Sequence, residues 1–156
     1  MFLMQPKEMI RGATLSLILE KCSPADKKTG FVPAYLFSIM INDSSLKIGH
    51  LHIRLEVTQD IELYSGQIGY EVDPDFRGSN YAYKACLLVT GLLMRHGFSH
   101  IFITCSPDNT PSKKIIEKLG AQFIETVDVP KDKQERQHGS SKNRYLWDIN
   151  DRTSER

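Results

Sequence analysis

Alternating apolar and polar residues predict antiparallel strands in the first half of the chain. The pattern covers TLSLILE (14–20), YLFSIMI (35–41) and LKIGHLHIRL (46–55). The turn-forming sequence NDSS separates the second and third stretches, so they predict a β-hairpin. A polar connection over 56–65 leads to QIGYEV (67–72), which we interpret as a further strand.

The second half of the chain predicts helices that alternate with strands. Apolar residues three and four apart predict a helix over 81–96, which Gly97 ends. A short strand, HIFITC (100–105), precedes a second helix that Thr110 caps and Gly120 closes. The strands AQFIETVDV and RYLWDI follow, on either side of the solvated loop KDKQERQHGSSKN. Antiparallel strands followed by a β-α-β-α-β core predict a mixed α/β (α+β) fold with a single mixed sheet.

Length, charge and cysteine content narrow the class of protein. The 156 residues fit one domain, with a core over about 14–149 and a polar tail over 150–156. Twenty Lys and Arg against 19 Asp and Glu give a net charge of +1, which argues against nucleic-acid and membrane-surface partners. No apolar run approaches the roughly 20 residues that span a bilayer, and no signal-peptide pattern is present. Three cysteines without a CxxC spacing predict reduced thiols in the cytoplasm.

The sequence DPDFRGSNYA (73–82) joins a predicted strand to a helix whose first turn holds no acid. Acidic residues are normally favoured at the start of a helix, because exposed N–H groups and the positive end of the helix dipole lie there. Their absence indicates that another anion binds at this position. Gly78 allows close approach of the backbone, and the N–H groups from Gly78 to Ala82 can form a phosphate cradle. Arg77 can add a charge-assisted contact. A plain tight turn with a solvated arginine is the alternative.

A second strand-to-helix connection, 106–111, would lie beside the first one if their strands are neighbours. The two connections together resemble the GNAT N-acetyltransferase superfamily. Its Arg/Gln-x-x-Gly-x-Gly/Ala motif is matched by residues 77–82, and its second signature by Asn109, Ser112, Glu117, Lys118 and Gly120. The stretches FVPAY, YSGQIGYEVDP, ITCSPDN, VDVP and RYLWDI extend the resemblance, to one acetyltransferase subfamily, over about 14–149.

The resemblance implies acetyl-CoA as co-substrate. Its pyrophosphate would bind Arg77, Gly78, Ser79, Asn80, Tyr81 and Ala82. Backbone groups of Tyr70 and Val72 would hydrogen-bond the pantetheine arm as an added strand would, and an N–H near Tyr70 would polarise the thioester carbonyl. The side chains of Asn109 and Ser112 would reach the pantetheine amides, and Lys113 a CoA phosphate. Local helix capping is the alternative role of Asn109 and Ser112.

Three positions depart from the family pattern. Asn80 stands where the motif most often has Gly, and Asn tolerates left-handed backbone better than most residues. Ile116 stands where many members have a Tyr that protonates the leaving thiolate, so that role must pass to another group or to water. Gln67 stands where the subfamily tends to have His.

Transfer to an amine requires a neutral nucleophile, so a general base is expected. Glu71 is the first candidate because it projects from the strand that would line the thioester; a surface carboxylate is its alternative role. Glu62, His50 and His52 are the other candidates. His50 and His52 share one strand face, but no third ligand supports a metal site. Cys105 has no readable His or Asp partner, and direct transfer needs no covalent intermediate.

The acceptor side is short. Residues 21–34 replace two helices that usually roof the acceptor site, which predicts either an open groove or a site completed by a second subunit in a homodimer. Phe31, Tyr35 and Tyr64 are candidate wall residues. The predicted activity is transfer of an acetyl group from acetyl-CoA to a small-molecule or peptide amine, by direct attack through a tetrahedral intermediate.

Two other classes of function compete with this prediction. A CoA- or acyl-CoA-binding module without turnover is the alternative. A nucleotide-binding protein of another fold is disfavoured because neither a P-loop nor a complete Gly-x-Gly-x-x-Gly motif is present.

Overall fold

Two antiparallel sheets form the framework of the computed structural model, which describes residues 1–150. The first sheet has five strands in sequential order: β1 Met9–Arg11, β2 Leu15–Ser23, β3 Ala34–Ile41, β4 Lys47–Arg54 and β5 Ile68–Val72. The second has three strands, in spatial order β6 His100–Cys105, β8 Ser141–Asp148 and β7 Gln122–Asp128. The mixed α/β class and the hairpin of β3 and β4 are confirmed. Hydrogen bonding divides the expected single sheet in two.

The helices are short and follow the strands. The α-helices are α1 Tyr81–Leu88, α2 Thr90–Arg95, α3 Thr110–Lys118 and α4 Gln134–Gln137. A π-helix covers Ile61–Ser65, and 3₁₀ turns cover Pro74–Phe76 and Lys131–Lys133. Within residues 1–150, none of these helices has the length and apolar character needed to cross a membrane.

One apolar core lies between the sheets and the helices. Alternate residues of the strands supply it, such as Leu51 and Ile53 of β4, which are fully buried. Ala85 and Cys86 of α1 and Ile116 of α3 pack into the same cluster. The opposite face of β4 therefore carries His50, His52 and Arg54, the polar residues that alternate with the core residues. Two faces of different character result: one covered by helices, the other polar.

The two sheets are joined by hydrogen bonds at Gln67, the residue just before β5. Gln67 N donates to the Phe102 carbonyl at 2.8 Å, and Phe102 N donates to Gln67 Oε1 at 2.9 Å. In a regular β-ladder the acceptor of the second bond would be a backbone carbonyl, but here it is the side-chain oxygen of Gln67. Beyond this point β5 pairs with β4 and β6 pairs with β8, so a gap opens between β5 and β6.

The predicted helix over 81–96 is broken at Val89, which separates α1 from α2. Val89 N donates to the Cys86 carbonyl, three residues back, at 3.3 Å, and the Thr90 hydroxyl donates to the Leu87 carbonyl at 2.8 Å. A side-chain hydroxyl that occupies a helix carbonyl competes with the regular backbone bonds. Gly97 ends α2 with φ +91°, as predicted.

Two segments predicted as irregular are ordered against each other. The polar connection over 56–65 contains the π-helix, and the loop over 131–143 contains α4 and the start of β8. Lys133 Nζ lies 2.7 Å from Asp60 Oδ1, and the Ser65 hydroxyl donates to Gln137 Oε1 at 3.1 Å. The prediction of a solvated loop is therefore wrong for α4, where Gln137 is buried, and for the start of β8, whereas Lys131, Asp132 and His138 are exposed as expected.

The segment between β2 and β3 holds no helix within 24–33, as expected from its length; an isolated bridge pairs Asp26 with Phe31. The strand β1 was not predicted. Apart from Asn150, the predicted polar tail lies outside the described residues.

Candidate functional site

The turn before α1 presents a row of unused N–H groups. It follows the 3₁₀ turn Pro74–Phe76 and contains two residues with positive φ, Gly78 at +92° and Asn80 at +61°. No N–H from Gly78 to Ala82 donates a hydrogen bond within residues 1–150, and the first turn of α1 contains no acid. Consecutive exposed N–H groups at a helix start form an anion-binding surface.

Arg77 is held beside this turn by one of its own nitrogens. Its Nε donates to the Val72 carbonyl at 2.8 Å, and its terminal nitrogens have no partner within residues 1–150. The expectation of unpaired backbone groups on Val72 is thus wrong for its carbonyl oxygen, which the arginine occupies. The contact fixes the guanidinium where its remaining donors can meet an anion on the turn.

The edge of β5 that faces β6 has backbone groups without strand partners. Arg54 N donates to the Gln67 carbonyl and Asp73 N to the Ile48 carbonyl, each at 2.7 Å. Because hydrogen-bonded pairs alternate in an antiparallel ladder, Gly69 and Glu71 bond to β4, whereas Tyr70 and Val72 do not. The N–H and carbonyl of Tyr70 and the N–H of Val72 therefore point into the gap.

A cleft of about 990 Å³ passes through this gap. On the helix side its lining includes Tyr70, Cys105, Asn109 and Ser112, and on the polar side of the sheet His52, Arg54, Tyr64, Arg136 and His138. The two groups lie on opposite faces because Tyr70 shares the face of the buried residues Ile68 and Val72 of β5, whereas His52 and Arg54 lie on the face opposite the buried residues of β4. Groups on both faces thus reach one cavity.

Tyr70 crosses the helix side of the gap. Its hydroxyl lies 2.9 Å from Ser112 Oγ at the start of α3, and burial raises the pKa of Tyr70, so the phenol stays protonated at neutral pH. Asn109 Oδ1 accepts from Ser112 N at 3.2 Å, which confirms the capping role of Asn109 and makes it, rather than Thr110, the N-cap. Ile116 is fully buried and offers no polar atom here.

Among the candidate bases, His52 faces the cleft and Glu71 does not. A Cβ placed on Gly69 would lie 2.2 Å from His52 Cε1, so the imidazole covers the backbone next to Tyr70. Burial, Arg54 and His50 lower the pKa of His52 to about 4, which leaves it neutral at pH 7. The Glu71 side chain is 67% exposed, lies 3.9 Å from His50 Nε2 and does not line the cleft.

Glu62, another candidate base, forms an ion pair outside the cleft lining. Its carboxylate lies 3.6 Å from Arg144 Nη2, and Arg144 also contacts the Glu125 carboxylate. The group ties the π-helix to the second sheet.

The predicted wall residues have different surroundings. Tyr64 lines the cleft, and exposed Phe31 lies at its rim, where its ring centroid is 5.3 Å from the Arg136 guanidinium. Tyr35 also belongs to the cleft lining, but its side chain is fully buried in the core, where its hydroxyl accepts from Leu3 N and lies 2.8 Å from His96 Nε2.

Sequence reasoning did not find the cations of the cleft. Arg54 continues the two-residue period of His50 and His52, and this signal was sufficient to place it on their face. Lys142, Arg136 and His138 also line the cleft, but they belong to the segment predicted as a solvated loop, so no periodicity marked them.

Comparison with known proteins gives a family match and related folds. The family model described as acetyltransferase (GNAT) domain matches residues 4–122. A comparison with curated proteins found no match.

Three similar solved structures are acetyltransferases by name. A probable acetyltransferase of the GNAT family from Chromobacterium violaceum superposes with a TM-score of 0.64 at 17% identity, over 93% of this chain and 88% of the other. The ribosomal L7/L12 α-N-protein acetyltransferase RimL, in complex with coenzyme A, gives 0.63 at 15% identity, over 89% and 97%. The ribosomal-protein-S5-alanine acetyltransferase from Vibrio fischeri gives 0.58 at 16% identity, over 76% and 63%. At these identities the likeness shows the fold.

Because His52 is half-buried and its pKa is lowered to about 4, stability should depend on pH in a defined window. The unfolded chain binds a proton on this residue below about pH 6.5, whereas the folded protein resists protonation down to about pH 4. The free energy of unfolding should therefore fall as the pH drops from 6.5 to 4, by about 3 kcal/mol at most. Urea unfolding at pH 4.0 to 7.0 measures this loss. It should be strongly reduced in His52→Gln and retained in His100→Gln, which alters an exposed histidine; equal pH dependence in all three proteins would contradict the assignment.

Proposed function

The chain belongs to the GNAT acetyltransferase family, and we propose that it transfers the acetyl group of acetyl-CoA to a primary amine. The observation that carries the proposal is the gap between β5 and β6. The strand-edge donors of β5 and the turn with unused N–H groups lie on its helix side, and the polar side of the same cleft, the chamber in which an acceptor would bind, lies on the other. Two substrates that react with each other need such an arrangement, because each must reach the same point from its own direction.

The donor substrate would occupy the helix side. The pyrophosphate of acetyl-CoA binds the N–H groups of Gly78, Ser79, Asn80, Tyr81 and Ala82, with Arg77 as the adjacent cation. The pantetheine arm lies along the edge of β5 and bonds to Tyr70 and Val72, and Lys113 at the start of α3 approaches a phosphate. The Asn109 side-chain amide keeps its NH₂ donor for a pantetheine carbonyl, since its oxygen caps α3.

The reaction would then be a direct transfer. The amine nitrogen attacks the thioester carbonyl carbon, and the N–H of Tyr70 stabilises the resulting oxyanion. The C–S bond breaks as the carbonyl re-forms, and the sulfur leaves with the electron pair. The nitrogen loses one proton and the sulfur gains one, so the products are an amide and the free thiol of CoA.

The Tyr70 hydroxyl is the group we assign to the sulfur. It lies on the donor side of the gap, is protonated at neutral pH as phenols ordinarily are, and contacts Ser112, through which a proton can be replaced. Tyr70 would thus protonate the leaving thiolate, a role that Ile116 cannot fill because it has no polar side-chain atom. His52 accepts a hydrogen bond from the incoming amine; Glu71, the base expected from the sequence, lies at the rim with His50 and can only receive the proton through water.

The acceptor is a small-molecule or peptide amine. Two of the similar structures are named as acetyltransferases of ribosomal proteins, which supports a peptide or protein amine as one class. All three cysteines are unpaired within residues 1–150, in keeping with a cytoplasmic setting.

Thiol release from acetyl-CoA, measured with a panel of amines, tests the activity, and Arg77→Glu tests the donor site. We expect amine-dependent thiol release in the parent protein and at least a tenfold weaker apparent affinity for acetyl-CoA in Arg77→Glu, since one charge-assisted contact becomes a repulsion, roughly 1.5–3 kcal/mol. Lys84→Glu is the matched control, because it reverses a charge on the same helix, outside the turn. Acetyl-CoA binding without thiol release for any amine would instead favour a non-catalytic CoA-binding module. Equal affinities in the two variants would contradict the placement of the pyrophosphate.

Tyr70→Phe tests the proton donor. The substitution removes one oxygen and keeps the ring, so acetyl-CoA binding should be retained while kcat falls by a factor of about 100, the usual contribution of a general acid. Tyr64→Phe, which removes a hydroxyl from the other side of the same cleft, is the control. An unchanged kcat in Tyr70→Phe would remove the phenol from the mechanism.

A further inference from the structure

The acceptor side of the cleft carries an excess of positive charge. Three of its lining residues have basic side chains, Arg54, Arg136 and Lys142. Among residues 1–150, the one carboxylate in the lining is Asp60, and it pairs with Lys133 at 2.7 Å. The neutral His52 does not offset this charge. The chamber that would receive the acceptor therefore favours anions.

Arg54 is partly buried and has no acidic partner within the described chain. Its Nη1 donates to the carbonyl of Gly66 at 2.8 Å and faces that of Ser65 at 3.5 Å, so only uncharged oxygens contact it. Burial lowers the pKa of Arg54 from its ordinary value. A desolvated guanidinium without a counter-ion is unfavourable, and an anion placed in the cleft would offset that cost.

Lys142 of β8 is a second basic residue of the cleft lining that has no acidic partner within residues 1–150. Its Nζ makes no hydrogen bond or ion pair within residues 1–150, and the side chain is half-buried; burial lowers the pKa of this amine. It shares a face of β8 with Arg144, because buried Asn143 and Tyr145 alternate with them toward the other face. Arg144 is neutralised by Glu62 and Glu125, whereas Lys142 is left without an acid.

Resting on the proposed function, we infer that the acceptor amine carries an anionic group, a carboxylate or a phosphate, which binds the cations Arg54 and Lys142. These two residues approach the chamber from β4 and from β8, so they flank an acceptor that enters between the sheets. Charge-assisted bonds to the anion orient the molecule with its amine toward His52 and the thioester.

The positive charges of Arg54 and Lys142 would also favour the reactive, neutral form of the acceptor amine. Nearby cations disfavour an ammonium ion and so lower the pKa of the bound amine, which increases the fraction of neutral nucleophile. They also repel polyamines and other polycations, which this site would bind poorly.

Matched pairs of acceptors test this inference. Each pair shares one amine and differs in charge: glycylglycine against its C-terminal amide, and O-phosphoethanolamine against ethanolamine. We expect kcat/KM for thiol release from acetyl-CoA to favour the anionic member by about tenfold or more, the effect of one charge-assisted contact. The pair with the larger ratio identifies carboxylate or phosphate as the preferred group.

Two variants locate the effect. In Lys142→Gln the ratio should fall toward one, whereas Lys131→Gln, which removes an exposed cation that does not line the cleft, should keep it. A ratio near one in the parent protein, or an undiminished ratio in Lys142→Gln, overturns the inference while amine-dependent thiol release leaves the proposed function intact.

A binding measurement separates the two failures. If no amine releases thiol, the proposed function fails, and the melting temperature with added glycylglycine or O-phosphoethanolamine decides the inference. A rise in the parent protein that is lost in Lys142→Gln supports the anionic site; no rise, or an equal rise in both proteins, overturns it.

Discussion

The contact between Gln67 and Phe102 is the constraint from which the site follows. A side-chain oxygen of Gln67 accepts the bond that a neighbouring strand would otherwise accept with its backbone, so the two sheets are joined there and the ladder between β5 and β6 does not continue. Gly66, with φ +71°, brings the chain against β6 just before this point: a Cβ on it would lie 3.0 Å from Thr104 N. The strands then separate, and the backbone of Tyr70 faces the gap.

The gap explains how groups from distant elements act on one space. The edge of β5, the turn before α1 and the start of α3 all lie toward its helix side, where donors are neutral N–H groups and protonated hydroxyls. The opposite side carries cations and a neutral imidazole. An arrangement of this kind suits a donor that brings phosphates to one end and an acceptor that arrives from the other.

Much of the framework could be predicted from the sequence because its signals are local. The hairpin and the strand before the turn at 73–82 follow from alternation and turn chemistry, and Asn80 adopts the left-handed backbone that its residue type tolerates. The wall of the chamber could not, because its contacts join distant residues: Lys133 to Asp60 and Gln137 to Ser65. Polar composition suggested a solvated loop where tertiary hydrogen bonds hold α4 against the π-helix.

The candidate site shows the same limit. Alternation placed His50 and His52 on one strand face, and the structure adds Glu71, whose carboxylate lies 3.9 Å from His50 Nε2. Alternation shows which face of a strand a residue lies on but not how buried it is. The sequence therefore favoured Glu71, which is exposed, over His52, which faces the cleft. Arg77 was assigned to the ligand alone, although one of its nitrogens first binds the Val72 carbonyl.

Amide hydrogen exchange with and without CoA tests whether the turn and the edge of β5 bind the donor substrate, because it reports on the individual N–H groups. The account predicts slower exchange at Gly78 to Ala82 and at Tyr70 when CoA is added, with little change in β1, which lies at the far edge of the first sheet. Protection confined to other segments, with exchange at the turn and at Tyr70 unaltered, would contradict it.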